Sequence, residues 1–154
     1  MSAEARLKEL QLELPTPPRA LGLYKPIVIV GSLAYLSGHG PIGVDGTAIC
    51  GRLGDDLDVK AGYEAARRTA LVALATLRQR CGSLDRVRRL VKTTGLVQAT
   101  PTFTEHPAVI NGFSELMHDV FGPDAGVAAR SAFGAPSLPA GWAVEIDAIF
   151  EVDE

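Results

Sequence analysis

The chain has 154 residues, of which 47% are hydrophobic and 21% are charged, and its formal net charge is −3. This is the composition of an ordinary globular protein, so it excludes intrinsic disorder, a collagen repeat and a coiled coil. The length suits one domain, not two. The net negative charge gives no support to a general affinity for nucleic acids.

Three further features of the sequence bear on the cellular compartment. The only cysteines, Cys50 and Cys81, cannot form a disulfide framework and indicate a reducing environment. No apolar run reaches the ~18 residues that a membrane helix needs. The N-terminus carries acidic residues where a signal peptide would be basic and then apolar. We therefore expect a soluble, cytoplasmic protein that does not bind membranes.

The first residues predict an N-terminal extension. Leucines at 7, 10 and 14 have helical spacing, which predicts a short helix within residues 3–14. The prolines at 15, 17 and 18 then stop a helix and form a rigid connector. We place this extension at residues 1–21 and a single domain at residues 22–154.

A β-hairpin opens the domain. Residues 27–30 are all β-branched and predict a strand. Gly31-Ser32 is a two-residue turn with glycine first, and residues 33–38 form the returning strand.

A helix and a strand follow the hairpin. Asp58 can cap a helix that runs to about Cys81, where Gly82 ends it. Its predicted apolar stripe is Tyr63, Ala66, Ala70, Leu74 and Leu77. Residues 87–98 then predict a strand.

The C-terminal third contains a second helix and two strands. Apolar residues at helical spacing predict a helix over 105–121, ended by Gly122-Pro123, and residues 127–133 predict a short strand. Residues 142–152 alternate between apolar and mostly polar positions, which predicts a half-buried strand.

The element order is therefore β-β-α-β-α-β-β, which predicts an α+β fold with two helices packed on one face of a mixed sheet. The helices cover only one face in this arrangement. The other face would be exposed in a monomer, so we expect a partner chain.

Several common sites are absent from the sequence. His39, His106 and His118 fall in no metal-ligand pattern and neither cysteine belongs to a Cys-x-x-Cys pair, so we predict no metal site. There is no Walker loop, no Gly-x-Gly-x-x-Gly and no Gly-x-Ser-x-Gly.

Basic residues are concentrated in one segment, because eight of the fifteen Lys and Arg lie between Arg67 and Lys92. They could form a nucleic-acid patch or simply a solvated helix face that runs into a charged strand. No aromatic residues interleave with these charges to stack bases, which favours the solvated face.

Two charged residues are candidates for chemistry. Arg130 lies among small and apolar neighbours, where burial is costly unless an anion pairs with it. Its partner could be an internal acid such as Asp119 or Asp124, or the carboxylate of a ligand bound by two parallel hydrogen bonds. Glu145 lies on the face of its strand opposite the apolar set, and partial desolvation would raise its pKa and suit it to act as a general base on water.

The ordered set of motifs resembles the RidA (YjgF-like) family, also known as L-PSP endoribonucleases. The resemblance runs from about residue 22 to residue 152, and no gap is needed between Arg130 and Glu145. The matching segments are Tyr24, residues 30–41, Val91-Lys92-Thr93-Thr94, Phe103, Asn111, Ala129-Arg130-Ser131, Leu138-Pro139 and Val144-Glu145-Ile146-Asp147-Ala148.

This resemblance implies a chorismate-mutase-like fold and a homotrimer with three clefts between subunits that bind small carboxylate ligands. Known members hydrolyse 2-imino and 2-enamino acids to 2-keto acids and ammonia. By position, Arg130 would bind the substrate carboxylate and Glu145 would orient or activate the attacking water. Substrate would also be bound by Tyr24, the backbone around Gly38, Asn111 and Ser131. The resemblance implies no cofactor, because an iminium carbon is already electrophilic.

The chain also departs from the family pattern. Lys25-Pro26 follows Tyr24 where imine-hydrolysing members have Ser-Gln, His39 replaces Gln, and Ala132 replaces Cys or Thr. The extension of about twenty residues is unusual as well. These departures indicate a divergent branch that keeps the carboxylate anchor and could act on a different substrate.

Three functions are therefore open. The leading one is the hydrolytic deamination of reactive 2-imino or 2-enamino acids or a related small carboxylate. The second is a non-catalytic sensor or binding module that uses the same cleft. The third is RNA cleavage, which the acidic composition and the missing stacking platform disfavour. The presence of both Arg130 and Glu145 favours catalysis, since binding alone needs only the arginine.

Overall fold

Five strands form one mixed sheet in the computed structural model, which describes residues 1–153. Helices α2 and α3 pack on one face of this sheet, and α1 lies against α3. The elements in chain order are α1 (Ala3–Glu9), β1 (Ile27–Val30), β2 (Leu33–His39), α2 (Val59–Cys81), a 3₁₀ turn (Leu84–Arg86), β3 (Val87–Gln98), α3 (His106–Ala125), β4 (Ala129–Ala135), a 3₁₀ turn (Pro139–Gly141) and β5 (Val144–Val152).

The strands lie in the order β1-β2-β5-β3-β4. Strands β3 and β4 are parallel and are connected by α3, whereas the other neighbouring pairs are antiparallel. The predicted α+β fold with helices on one face of a mixed sheet is therefore confirmed. Among residues 1–153, no helix is both long enough and apolar enough to cross a membrane.

Local sequence signals correctly predicted where several elements begin and end. Val30 pairs with Leu33 across the predicted two-residue turn, in which Gly31 adopts a φ of +59°. The Asp58 carboxylate accepts a hydrogen bond from the Ala61 amide at 2.8 Å and begins α2, and Gly82 ends α2 in the left-handed conformation. The predicted bounds of this helix are confirmed.

Two helices end at residues other than those predicted. Helix α1 stops well before residue 14, because Gln11 takes a φ of +54° and turns the chain away. Gly122 breaks α3 as predicted, at φ 91° and ψ 173°, but a further helical turn follows to Ala125. Pro123 is tolerated there because the first residues of a helical turn need no N–H donor.

The last two strands are also shorter at their starts than predicted. Strand β4 begins at Ala129 and not at residue 127, because the extra turn of α3 takes up part of the chain. Strand β5 begins at Val144 and not at residue 142, because the 3₁₀ turn at Pro139–Gly141 ends just before it.

The alternation of β5 sorts its side chains onto two faces. Every second residue from Val144 to Val152 is buried under the helices, and the residues between them, from Glu145 to Glu151, are half-buried on the other face. This second face, which no helix covers, is called the open face below. It exposes large apolar side chains at Val28, Val30, Tyr35 and Phe133. The predicted uncovered face is thus present.

Close packing of α2 on α3 depends on a glycine, and this gives a test of the fold. A Cβ on Gly112 would overlap the carbonyl oxygen of Tyr63 and lie 3.0 Å from the Arg67 amide nitrogen. An exposed helical Gly→Ala change normally stabilises by up to about 1 kcal/mol. We expect Gly112→Ala instead to lower the free energy of unfolding by about 1–3 kcal/mol, because the two helices must move apart.

Urea titration monitored by circular dichroism would measure this loss. Glu64→Ala, on the exposed side of α2, is the matched control and should change stability little. A Gly112→Ala protein as stable as the wild type would show that the helices can separate at no cost.

Candidate functional site

A cleft of about 450 Å³ opens beside the end of β2 and the start of β5. Three residues predicted for the site, Tyr24, Gly38 and Glu145, lie together in its wall. The remaining lining residues are Leu21, Gly22, Ser37, Pro139 and Trp142. The segment of residues 15–26, called the connector from here on, therefore meets strand β2 and the turn before β5 around Glu145.

Two glycines of the β2 segment let large side chains lie directly on the backbone. A Cβ on Gly38 would be 2.7 Å from Oε1 of Glu145, and a Cβ on Gly40 would be 2.5 Å from the Trp142 ring. Real Cβ atoms do not approach so closely. Glycine at these positions is what allows Glu145 and Trp142 to form the floor of the cleft.

The environment of Glu145 disfavours its charged form. Burial raises the pKa of this carboxyl, and the neighbouring Asp147 raises it further. No donor within residues 1–153 makes a hydrogen bond to it. Burial likewise raises the pKa of Asp147, although the Thr94 hydroxyl and Lys92 oppose that effect. Asp147 thus has two groups nearby that stabilise its charge, whereas Glu145 has none among the causes of its shift, which suits Glu145 to accept a proton.

His39 has a structural role behind the cleft. Its ring points to the helix side of the sheet and is 3% exposed. Nδ1 donates to the Ser37 carbonyl oxygen at 2.6 Å, so Nε2 accepts from the Thr76 hydroxyl at 2.8 Å. Burial lowers the pKa of this histidine, so the ring is neutral at pH 7. This departure from the family pattern ties β2 to α2.

The backbone of Lys25 and Pro26 holds the connector beside β2. The Ser37 amide donates to the Pro26 carbonyl oxygen at 2.9 Å, and the Ser37 hydroxyl donates to the Lys25 carbonyl oxygen at 2.6 Å. The connector thus takes the place of β1 next to the last part of β2. The Ser37 hydroxyl therefore already donates its proton to the connector.

The other predicted residues form a second group at the edge strand β4. Nη1 of Arg130 donates to Asn111 Oδ1 at 2.9 Å and to Ser114 Oγ at 3.2 Å, and both partners lie on α3. Within residues 1–153 no carboxylate pairs with Arg130. The alternative of an internal salt bridge was wrong, because Asp124 pairs with Arg89 at 2.8 Å and Asp119 contacts His118 at 3.3 Å.

Arg130 and Glu145 of one chain lie on opposite faces of the sheet. Arg130 is level with Thr93 and, through it, with Ala148, which is buried under the helices. Glu145 is three residues earlier in β5, on the open face. A strand spacing of about 4.8 Å and a rise of about 3.3 Å per residue separate the two Cα atoms by roughly 14 Å. Ser131 is exposed on the open face and is apart from both groups.

Two residues of the cleft wall, Leu21 and Trp142, were not predicted from the sequence. Leu21 falls at the end of the segment assigned to the N-terminal extension, and Trp142 was assigned only to a strand. The available signals were the apolar residues Leu21 and Leu23 in a proline-bounded connector and the single tryptophan of the chain. Both leucines are fully solvent-accessible or nearly so.

The concentrated basic residues are partly neutralised by ion pairs. Arg89 pairs with Asp124, Arg78 pairs with Glu4, and Arg88 pairs with Asp153. Such pairing is what a solvated, ion-paired surface shows, and it leaves less charge for a nucleic acid. In the part of the chain that the structure describes, no group of three or more His, Cys, Asp or Glu could hold a metal ion.

Comparison with known proteins adds a family and several relatives. The family model described as "YjgF/chorismate mutase-like, putative endoribonuclease" matches residues 4–149. Protein TCP17 of Trypanosoma cruzi is 39% identical over 149 residues, which cover 97% of this chain and 93% of that protein.

Two crystal structures are similar along almost the whole chain. The Atu1372 protein from Agrobacterium tumefaciens is 41% identical with a TM-score of 0.89, over 98% of this chain and 94% of that one. A "putative endoribonuclease" from Shewanella oneidensis MR-1 is 35% identical with a TM-score of 0.93, over 99% of this chain and 100% of that one. The similarity therefore includes the N-terminal extension and connector as well as the sheet.

The raised pKa of Glu145 predicts a pH-dependent stability. The folded protein binds a proton at Glu145 more readily than the unfolded chain does, so the free energy of unfolding falls as pH rises above the ordinary value of 4.5. Glu145→Gln removes the disfavoured charge. We expect this variant to melt at a higher temperature than the wild type near pH 7, with the difference vanishing towards about pH 4.

Differential scanning calorimetry across this pH range would measure the effect, with Glu151→Gln on the same face of β5 as the control. A Glu145→Gln protein that melts below the wild type at neutral pH would mean that the carboxylate makes a favourable contact in the fold.

Proposed function

Because the chain belongs to the RidA (YjgF-like) family, we propose that it hydrolyses reactive 2-imino or 2-enamino acids, or a related small carboxylate, to 2-keto acids and ammonia. The reaction takes place in a cleft between two subunits of a homotrimer. The observation that carries the proposal is the guanidinium of Arg130, which is half-buried and held by neutral oxygens alone.

The hydrogen bonds of Arg130 leave one edge of the guanidinium for a ligand. Asn111 and Ser114 both accept from Nη1, so they fix the orientation of the plane. The edge formed by Nε and Nη2 makes no hydrogen bond within residues 1–153. Two parallel N–H donors at this edge match the two oxygens of a carboxylate. In this arrangement Asn111 supports the arginine that binds the substrate.

Glu145 serves as the general base and acid of the reaction. As water oxygen attacks the iminium carbon, the Glu145 carboxylate takes a proton from the water and a neutral carbinolamine forms. Glu145 returns this proton to the amine nitrogen, the C–N bond breaks, and the hydroxyl proton passes to Glu145 as the carbonyl forms. Ammonia leaves and takes up that last proton. The raised pKa of Glu145 suits both directions of transfer.

The separation of the two residues supports a site shared between subunits. Roughly 14 Å and the thickness of the sheet lie between Arg130 and Glu145 of one chain, whereas a small imino acid spans only a few ångströms. A partner chain that brings its β4 edge to the Glu145 cleft would complete the site. A heterologous contact of this kind closes into a ring, and three copies give three equal clefts.

The exposed apolar side chains of the open face supply the contact surface for this assembly. Val28, Val30, Tyr35 and Phe133 are each between 43% and 65% exposed. Apolar side chains grouped on one sheet face are typical of protein–protein contacts.

The two other functions have less support. A binding or sensor module would need Arg130 but would not need a desolvated glutamate in the adjoining cleft. RNA cleavage is disfavoured by the net charge of −3 and by the ion pairs that occupy Arg78, Arg88 and Arg89. Turnover of an imine by the wild type, lost in Glu145→Gln, separates catalysis from binding.

Arg130 variants test the carboxylate anchor. Lysine keeps the charge but cannot make two parallel hydrogen bonds, so Arg130→Lys should weaken the binding of a 2-keto acid nearly as much as Arg130→Ala. We expect at least about tenfold weaker binding by isothermal titration calorimetry, since each bond to a charged group contributes on the order of 1.5–3 kcal/mol. Melting temperatures should change little, because no internal acid loses its partner.

Two results would contradict this assignment. Collapse of the ligand-free Arg130→Ala protein would show that the arginine is needed for folding. Normal melting with unchanged binding would place the carboxylate anchor elsewhere.

Mixed assemblies test whether the site is shared. Arg130→Ala and Glu145→Gln should each be inactive alone, with turnover lowered by roughly 10²–10⁴-fold for the glutamate variant. If the two are unfolded, mixed in equal amounts and refolded, about one cleft in four receives both wild-type residues from different chains. We therefore expect activity to return to about a quarter of the wild-type value.

The oligomeric state is measured on the same samples by light scattering. A monomer at micromolar concentration, or a trimer whose activity is not restored by mixing, would overturn the shared site.

A further inference from the structure

A second cavity, of about 190 Å³, adjoins the Glu145 cleft on the side of the connector. The two spaces are neighbours, because Leu21, Tyr24, Gly38 and Trp142 line both of them. Nothing in the proposed hydrolysis uses this second cavity, which is called the connector cavity below.

The walls of the connector cavity are mainly apolar. They include Pro18 and Pro26 from the connector, Ile42 from the loop after β2, Val72 from α2, and Trp142. The polar group in the wall is His39, and both of its ring nitrogens already have partners. Arg19 is exposed to solvent. The cavity therefore offers a mainly apolar surface, to which Tyr24 adds a hydroxyl group.

The cavity exists because β1 is short. The pairing of β1 with β2 starts at Ile27 and Leu36, so the last residues of β2 face the connector instead of a strand. Ser37 fastens the connector there, and within the connector the Leu21 amide donates to the Tyr24 hydroxyl at 3.2 Å. This path leaves a gap between the connector and α2.

We propose that the connector cavity binds the side chain of the substrate, and that the substrates are 2-imino acids with a bulky apolar side chain. This inference rests on the proposed function. An apolar cavity of about 150 Å³ can hold a benzene ring, so the volume here suits side chains from isobutyl to benzyl. The charged residue of the wall that could pair with an acidic side chain is Arg19, which is exposed to solvent, so an acidic side chain that entered the apolar part of the cavity would lose its solvation.

The position of Gly38 links the side-chain pocket to the reacting atoms. Gly38 lines both spaces, and a Cβ at this residue would be 2.7 Å from Oε1 of Glu145. A substrate carbon beside Gly38 would thus be next to the general base while its side chain enters the connector cavity. The carboxylate on the other side would be left for Arg130 of a second subunit.

Binding of 2-keto acids measures the specificity without requiring turnover. We would titrate the full-length protein by calorimetry with 4-methyl-2-oxopentanoate, phenylpyruvate, pyruvate and 2-oxoglutarate. We expect the two apolar compounds to bind at least about tenfold more tightly than pyruvate, since each methylene in an apolar pocket gives that order of discrimination. For 4-methyl-2-oxopentanoate, the fluorescence of Trp142, the single tryptophan, should change on binding.

Filling the cavity tests the location. Ile42→Trp should weaken the binding of 4-methyl-2-oxopentanoate by at least about tenfold and leave that of pyruvate nearly unchanged. Val44→Trp, at a 54% exposed position in the same loop, is the matched control and should change neither. Ile42→Ala enlarges the cavity without blocking it and should weaken 4-methyl-2-oxopentanoate binding less, which guards against a folding defect in the tryptophan variant.

The outcomes separate this inference from the proposed function. Equal affinity for pyruvate and the apolar compounds, or Ile42→Trp with unchanged selectivity, would overturn the side-chain assignment even if imines are hydrolysed. Selective binding that Ile42→Trp abolishes, without hydrolysis of imines made by an amino-acid oxidase, would uphold the cavity as a binding site and remove the hydrolase.

Discussion

The strict alternation of side chains along β3, β4 and β5 is the constraint on which the rest of the site depends. Burial of Val144, Ile146 and Ala148 under the helices forces Glu145 onto the open face. The parallel pairing of β3 with β4 puts Arg130 level with Thr93, on the helix side. A shift of register by one residue would reverse both faces and expose the core, so neither side chain can change sides without unfolding the sheet. Any reaction that needs both residues must therefore use two chains.

The geometry around Glu145 lowers the stability of its charged form, as a general base in the proposed reaction requires. Gly38 leaves no side chain between the strand and the carboxylate, and the turn before β5 places Trp142 over Gly40. Glu145 is consequently desolvated and receives no hydrogen bond within residues 1–153, which raises its pKa. A carboxylate held by several donors would be more stable but would be too weak a base to take a proton from water. Gly38 and Gly40 thus allow the close packing that buries the Glu145 carboxylate, and they also leave space for a substrate beside it.

Sequence alone predicted the elements whose signals are local. The Asp58 cap, the Gly82 stop, the Gly31-Ser32 turn and the alternation of β5 each depend on a few adjacent residues, and all were confirmed. The extra turn of α3 past Gly122 was not predicted, because a proline can end one helix or begin the next. The family resemblance identified Arg130 and Glu145, but their separation depends on strand order and pairing, which no local pattern encodes. The connector has no periodicity at all, so its return to Tyr24 and Trp142 could not be read from the sequence.

In the proposed reaction, the connector also separates the chemistry from the choice of substrate. Arg130 and Glu145 lie on strands whose positions are fixed by the ladder of the sheet, as precise catalytic geometry requires. The cavity wall, in contrast, is formed by residues 18–26 and the loop at Ile42, which can change in sequence without disturbing the sheet. The Agrobacterium and Shewanella structures match this chain over 98% and 99% of its length, so the extension belongs to the fold that these proteins share. If Arg130 and Glu145 react as proposed, replacement of the segment that covers one side of the cleft would change the substrate without moving them.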